Sequence, residues 1–244
     1  MYRHQGKSRT SKHNLRIATI LSFVAGIVNV SGFLAFAQLT TNVTGHFALF
    51  MNDVSKFEFW KGTIYFIYIF SFLLGSFSSS FLIELFKENK KLNVFVLPTL
   101  IESMLLISIA LFSNLFQLSY PNVLICVLLF AMGMQNSYVT KISDAVVRTT
   151  HLTGLFTDLG IELSQLFFPI SHPFRQELKA TIKLRIAIIF SFFAGGLIGG
   201  FLYSKLDFKL NTLLLAAVIL LVSLFYDDVK YRFIKVSRKY SRKN

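Results

Sequence analysis

The sequence has little charge and almost no cysteine. Charged residues make up 15% of its 244 residues, whereas 54% are hydrophobic. A soluble domain must cover its core with polar surface, so this composition argues against a soluble fold. The single cysteine, Cys126, lies in an apolar run, which excludes a disulfide framework and a CxxC metal or redox motif. We expect a membrane protein in which Cys126 is a small buried hydrophobe.

Acidic residues are the scarcer charged type, 12 against 25 Lys and Arg. The basic residues lie at the chain ends and in short loops, so we expect no nucleic-acid partner. GxSxG, HExxH, Walker and GxGxxG patterns are absent, and no nucleophile and base stand at motif spacing. We therefore expect no enzyme activity and no cofactor.

Long apolar runs are abundant. Residues 17–52 contain no Asp, Glu, Lys or Arg over 36 positions, which exceeds the ~20 residues of one crossing. This stretch predicts one span followed by a shorter helical piece. Five further runs each predict one crossing: residues 62–86, 94–112, 123–139, 181–202 and 210–226.

The distribution of Lys and Arg predicts the orientation of these six spans, because cytoplasmic loops retain positive charge during insertion. With the N-terminus inside, all but four of the 25 basic residues fall on the cytoplasmic side. The four exceptions are Lys56, Lys61, Lys205 and Lys209. We expect a bacterial plasma membrane protein with both termini cytoplasmic, its basic tails explained by orientation and anionic lipid or by a partner site.

The two halves of the sequence resemble each other. AGIVN (25–29) matches MGMQN (132–136), and TTNVTGHF (40–47) matches TTHLTGLF (149–156). Residues 69–83 and 189–203 share seven of fifteen positions. We therefore expect an all-α protein with a basic tail at 1–16, three-helix repeats at 17–112 and 123–226, and a basic tail at 227–244.

Three spans per repeat is an odd number, so the second repeat should enter the membrane from the opposite side. Inverted repeats of this kind recur in secondary transporters, which exchange the roles of the two copies. The first TTxxTG motif is then expected toward the outside and the second toward the cytoplasm.

Both TTxxTG motifs place hydroxyls, glycine and an amide or imidazole at membrane depth. Non-helical backbone is tolerated there only where it lines a cavity or packs against protein. The motifs are therefore interpreted either as broken helices that bind a small solute or ion, or as close helix packing with a turn. The candidate binding residues are Thr40, Thr41, Asn42, Thr44, Gly45, His46, Thr149, Thr150, His151, Thr153 and Gly154.

Amides occupy equivalent places in the first span of each repeat: Asn29 in one, Gln135 and Asn136 in the other. An amide without a partner is unfavourable in hydrocarbon, so these side chains should face the protein interior. They are candidate solute-binding residues, or they form hydrogen bonds between helices.

Glu102 is an acid near the middle of the third span, where the other repeat has Leu215. An intramembrane carboxylate indicates proton or cation coupling. The alternative is that Glu102 sits lower in the bilayer and bonds to an adjacent Thr or Asn.

Asp158 and Glu162, at i and i+4, could bind a coupling cation or belong to an interfacial amphipathic helix. The segment 155–167 alternates apolar and polar residues, which favours the helix. His46 and His151 do not align and have no nearby Cys or carboxylate at ligand spacing, so no metal site is expected.

The combination of TTNVTGH after a long first span with GMQN and VRTTHLTGLFTDLG resembles the bacterial YoaK family, small membrane proteins catalogued as a domain of unknown function. The resemblance covers about residues 15–226. In that family the first motif usually reads like HMTGN, from which Asn42 and His46 depart. The resemblance implies a six-span inner-membrane protein and supplies no substrate.

Two functions are consistent with these patterns. The first is a small secondary transporter or solute-binding membrane protein, alone or as a homodimer of twelve helices in the lipid bilayer. The second is a membrane scaffold that transports nothing and whose motifs only pack helices. A membrane-embedded enzyme ranks below both.

Overall fold

The computed structural model describes residues 10–87, 94–116, 119–169 and 172–241. The part of the chain so described is helical and contains no strand. The helices of the first half are α1 (Ser11–Phe36), α2 (Thr44–Ser55), α3 (Phe59–Phe86) and α4 (Val96–Phe116). Those of the second half are α5 (Pro121–Ile142), α6 (Leu152–Gln165), α7 (His172–Ser204) and α8 (Thr212–Ser241).

Six of these helices are long and apolar enough to cross a membrane, namely α1, α3, α4, α5, α7 and α8. Each predicted span falls on one of them, and the short helical piece predicted within residues 17–52 is α2. Most of the predicted N-terminal tail and of the loop at 87–91 lies outside the described residues. Helix α8 continues through most of the predicted C-terminal tail, to Ser241.

The outward surfaces of α3 and α7 fit a lipid environment. Only 22% of the apolar window of α3 and 17% of that of α7 are buried within the chain. Large apolar side chains such as Phe77 and Phe190 are more than half exposed. Exposed apolar surface of this extent is rare on soluble monomers and is satisfied by acyl chains.

Close crossings of helices from different halves hold the bundle together. Where α1 crosses α7, a Cβ added to Gly26 would overlap the carbonyl oxygen of Phe192, and one added to Gly195 would overlap that of Phe23. The two backbones therefore touch with no side chain between them. Small residues permit this close approach of the two helices. Dispersion and weak Cα–H···O contacts then stabilise it.

The crossing of α3 with α5 repeats this arrangement with the halves exchanged. A Cβ on Gly133 would overlap the carbonyl oxygen of Phe72, and one on Gly75 would overlap that of Phe130. In the sequence repeat, Gly133 corresponds to Gly26 and Phe72 to Phe192. These glycine contacts are thus made within one chain.

The third helices of the halves, α4 and α8, pack against each other on one side of the crossings. Their contact is apolar, with Leu106 and Ala110 of α4 and Ala217 and Leu220 of α8 all fully buried. The two short helices begin at the TTxxTG motifs: α2 packs on α3, and α6 packs on α7. Within the residues that the structure describes, neither short helix contacts α4 or α8.

Candidate functional site

The first motif folds back along α1. The helix ends where Ala37 adopts a left-handed conformation with φ 53°, which reverses the chain. Thr40 then donates its hydroxyl to the carbonyl of Val28 at 3.2 Å, and Thr41 donates to Asn29 Oδ1 at 2.7 Å. Asn29 lies about 10 Å before the end of α1 at 1.5 Å per residue. The motif is therefore level with the interior of the helix.

The second motif folds back along α5 in the same way. Asp144 and Ala145, with φ 51° and 62°, reverse the chain after α5. Thr150 donates its hydroxyl to Asn136 Oδ1 at 2.8 Å. Asn136 and Thr150 correspond to Asn29 and Thr41 in the sequence repeat, so the two halves build the same hydrogen bond.

Both motifs line one cavity of about 430 Å³. It therefore contains residues from both halves. The first half contributes Asn29, Leu39, Thr41, Asn42, Val43, Thr44 and Phe72. The second half contributes Thr150, His151, Leu152, Thr153, Gly154 and Phe192.

The cavity lining is polar but contains no Asp, Glu, Lys or Arg. Hydroxyls, amides and one imidazole supply donors and acceptors, while Phe72 and Phe192 supply apolar wall from equivalent positions. The helices α2 and α6 both begin at this wall, and neither has a side-chain cap at its N-terminus. Backbone N–H groups of the first helical turns, with the positive end of the helix dipole, are thus available to a solute.

His151 brings a titratable group to the cavity. Desolvation lowers the pKa of its imidazole, and the charge of Arg148 lowers it further. The neutral ring is therefore favoured near neutral pH, with one nitrogen as donor and the other as acceptor.

Several of the predicted binding residues do not line the cavity but hold the lining residues in place. Gln135 donates its amide to the carbonyl of Leu21 at 2.9 Å and to Thr149 Oγ1 at 3.5 Å. Thr40, Thr149 and Gln135 are all fully buried. Their hydrogen bonds hold the returning chain against α1 and α5 and do not reach the cavity.

His46 and Gly45 lie on the far side of the first motif. His46 is 1% exposed and donates from Nε2 to the carbonyl of Leu39, a lining residue, at 2.7 Å. Its ring packs against Tyr65 and Tyr68, with centroid distances of 6.2 and 5.2 Å. His46 thus positions the cavity wall through Leu39.

Glu102 does not line the cavity. It is fully buried in α4, about 9 Å from Val96 at 1.5 Å per residue and close to the middle of the candidate span Val96–Ser113. Tyr138 of α5 donates its hydroxyl to Glu102 Oε2 at 2.7 Å. The neighbouring Thr99 and Ser103 donate to carbonyls of α4 itself. Among the three hydroxyls, only that of Tyr138 bonds to the carboxyl.

Asp158 and Glu162 share one cation, the guanidinium of Arg185 on α7, at 2.9 and 2.8 Å. They border a separate cavity of about 390 Å³ between α6 and α7. The pair therefore docks α6 on α7 at a distance from the central cavity lining. In the described part of the chain, no three His, Cys, Asp or Glu residues group as metal ligands would.

Sequence reasoning missed Phe72, Phe192, Tyr138 and Arg185. The two phenylalanines could have been identified from the sequence, since both end the IFSF segment that occurs in each half. Arg185 could have been identified as a cation inside a predicted span. No sequence feature marks Tyr138, because its contact with Glu102 depends on how α4 packs against α5.

Six apolar helices, lipid-facing surfaces and a polar cavity between two halves define a multi-pass helical membrane protein. Within that class, residues 17–226 match the family described as protein of unknown function, DUF1275, and the chain belongs to it. The resemblance to a family of membrane proteins catalogued as a domain of unknown function is thereby confirmed. No curated protein and no solved structure matches the chain.

Proposed function

We propose that this protein is a small secondary transporter whose central cavity binds its solute. The observation that carries the proposal is that both TTxxTG motifs, about 110 residues apart, line one cavity through matched hydrogen bonds. Motifs that only packed helices would have no need to meet there. The proposal assigns the protein no catalytic step.

The two halves act as inverted repeats in this proposal, with both termini in the cytoplasm of a bacterial cell. The exchanged glycine crossings of α1 with α7 and of α3 with α5 support a pseudo-twofold relation. The distribution of Lys and Arg supports the orientation. Each motif then reaches the cavity from its own side of the membrane, and rocking one half against the other alternates access.

The cavity lining supports a small polar solute, neutral or anionic. It has no carboxylate to neutralise a cation, while the uncapped starts of α2 and α6 present backbone N–H groups. Phe72 and Phe192 provide an apolar surface for a carbon skeleton.

A scaffold is the second candidate, because the bonds Thr41–Asn29 and Thr150–Asn136 also tie the chain to α1 and α5. A scaffold needs these bonds but no occupant in the cavity. Stability and ligand response therefore separate the two functions.

The test replaces Thr153 by Val. Thr153 lines the cavity and its side chain is exposed, so removing its hydroxyl should leave the melting temperature unchanged. The matched control is Thr157→Val, one turn later in α6 and outside the cavity lining. Wild-type protein and both variants are screened in detergent against small neutral and anionic solutes. A solute at 100 times its Kd stabilises the folded state by roughly 2.7 kcal/mol.

We expect a solute that raises the melting temperature of wild type and of Thr157→Val but not of Thr153→Val, and that proteoliposomes accumulate it. If no solute shifts wild type and proteoliposomes take up none, the transporter proposal is wrong. If Thr41→Val and Thr150→Val then only lower stability, the scaffold is favoured.

A further inference from the structure

Glu102 is a buried ionisable group that the cavity does not use. Its side chain is fully buried in α4, and its Oε1 atom has no hydrogen-bond partner. Tyr138 supplies the bond to the other carboxyl oxygen, Oε2. A charged carboxylate in such a place is unfavourable unless a cation or several donors compensate it.

Among the described side chains of the helices that contact α4, no cation pairs with Glu102. Their charged and titratable groups within the described side chains have other partners. Lys141 of α5 and Lys87 pair with Glu84 of α3. Lys209 of the short turn before α8 pairs with Asp207, and the ring of Tyr226 on α8 stacks with Arg16.

The bond from Tyr138 is the single hydrogen bond that the described residues give to the Glu102 carboxyl. One donor does not compensate a buried negative charge. A proton on Oε1 removes the charge and leaves Oε2 as the acceptor for Tyr138.

From this geometry we infer that Glu102 is a proton-binding site inside the helix bundle, and that its proton is coupled to the central cavity. Binding is a simple protonation, in which the carboxylate takes a proton from water and becomes a neutral acid. The first half of the inference stands without the transporter, whereas the coupling rests on the proposed function.

Helix α5 is the element that joins the two sites. It carries Tyr138, which bonds to Glu102, and half a turn earlier Asn136, which bonds to Thr150 of the cavity lining. The matched bond of the first half, Thr41–Asn29, ties the chain to α1. Helix α1 makes no contact with α4 in the described structure. Helix α1 contacts α5, but it does so through another bond, from Gln135 to the carbonyl of Leu21. Movement at Thr150 should therefore reach Glu102 more directly than movement at Thr41.

Infrared absorption of the full-length protein in liposomes tests the protonation. A protonated carboxylic acid has a carbonyl stretch that an ionised carboxylate lacks. We expect this band in wild type at neutral pH and its loss in Glu102→Gln, which keeps an acceptor for Tyr138. Glu102→Leu, which copies Leu215 of the other half, is the second variant and should also lose the band. A wild-type spectrum without the band overturns the inference.

Exchange of the same band in D₂O tests the coupling. We expect Thr150→Val to change the rate at which the Glu102 proton exchanges severalfold, while Thr41→Val exchanges like wild type. Equal rates in the two variants would overturn the coupling and leave the proton site. A failed solute screen would instead contradict the proposed solute binding in the cavity. The solute screen thus tests the transporter proposal, and the infrared band tests the proton site.

Discussion

The glycine crossings give the sharpest test of the packing. In Gly26→Ala or Gly133→Ala, the added methyl group overlaps a backbone carbonyl oxygen of the neighbouring helix. A backbone atom cannot rotate away as a side chain would, so the helices must separate. Gly160 is the control, because a Cβ there meets no atom within 4 Å.

Overpacking of a tight contact costs about 1–3 kcal/mol, and replacing glycine by alanine within a helix returns about 1 kcal/mol. Because the overlapped atom is backbone, we place the overpacking cost in the upper part of that range, at roughly 2–3 kcal/mol. Gly26→Ala and Gly133→Ala should then each lose roughly 1–2 kcal/mol of unfolding free energy. At about 2–4 °C per kcal/mol for a chain of this size, the melting temperature should fall by several degrees. Gly160→Ala should melt at or above the wild-type temperature.

Circular dichroism of the purified variants in detergent measures these shifts through loss of helix. The pseudo-twofold relation adds a quantitative expectation, that the two substitutions lower stability by similar amounts. If both melted like Gly160→Ala, the helices would not be in backbone contact at these crossings and the packing argument would fail.

Two further predictions concern the groups around the cavity. Arg185→Gln should remove the ion pairs with Asp158 and Glu162, loosen α6 by roughly 1 kcal/mol and speed its proteolysis, and the difference from wild type should shrink in high salt. Burial lowers the pKa of His46 below its usual 6.5, against the opposing bond to Leu39, so the unfolded chain binds more protons and stability falls as pH drops through about 6.5. His46→Gln, which can still donate to Leu39, should flatten that melting-temperature profile, whereas an unchanged profile would refute this assignment.

The spans were predictable because hydrocarbon imposes a length and an apolar composition on any crossing helix. Beyond an apolar run that constraint ends, so the runs predict the crossings and not the ends of the helices. Helix α7 begins at His172 rather than near residue 181, and α8 runs on to Ser241. Their polar ends are helical without being apolar.

The sequence predicted which polar residues of the cavity need hydrogen-bond partners, but not which residues those partners are. Hydroxyls and amides at membrane depth must form hydrogen bonds, and this requirement can be read from the sequence. That Thr41 meets Asn29 depends on a chain reversal at Ala37, an L residue in a left-handed conformation that no sequence signal marked. The meeting of the two motifs depends on how the halves pack, which is a non-local property.

Two differences between the halves lie away from the cavity lining and involve buried groups. Glu102 occupies the position of Leu215 in the other half, and His46 occupies that of Leu155. Glu102, His46 and Leu155 are buried. In the proposed transporter, identical halves would give inward-open and outward-open states equal energy, so the mismatched groups would set which state is favoured. If Glu102 binds a proton as inferred above, that preference would depend on proton concentration, and a proton gradient would then drive movement of a solute through the cavity.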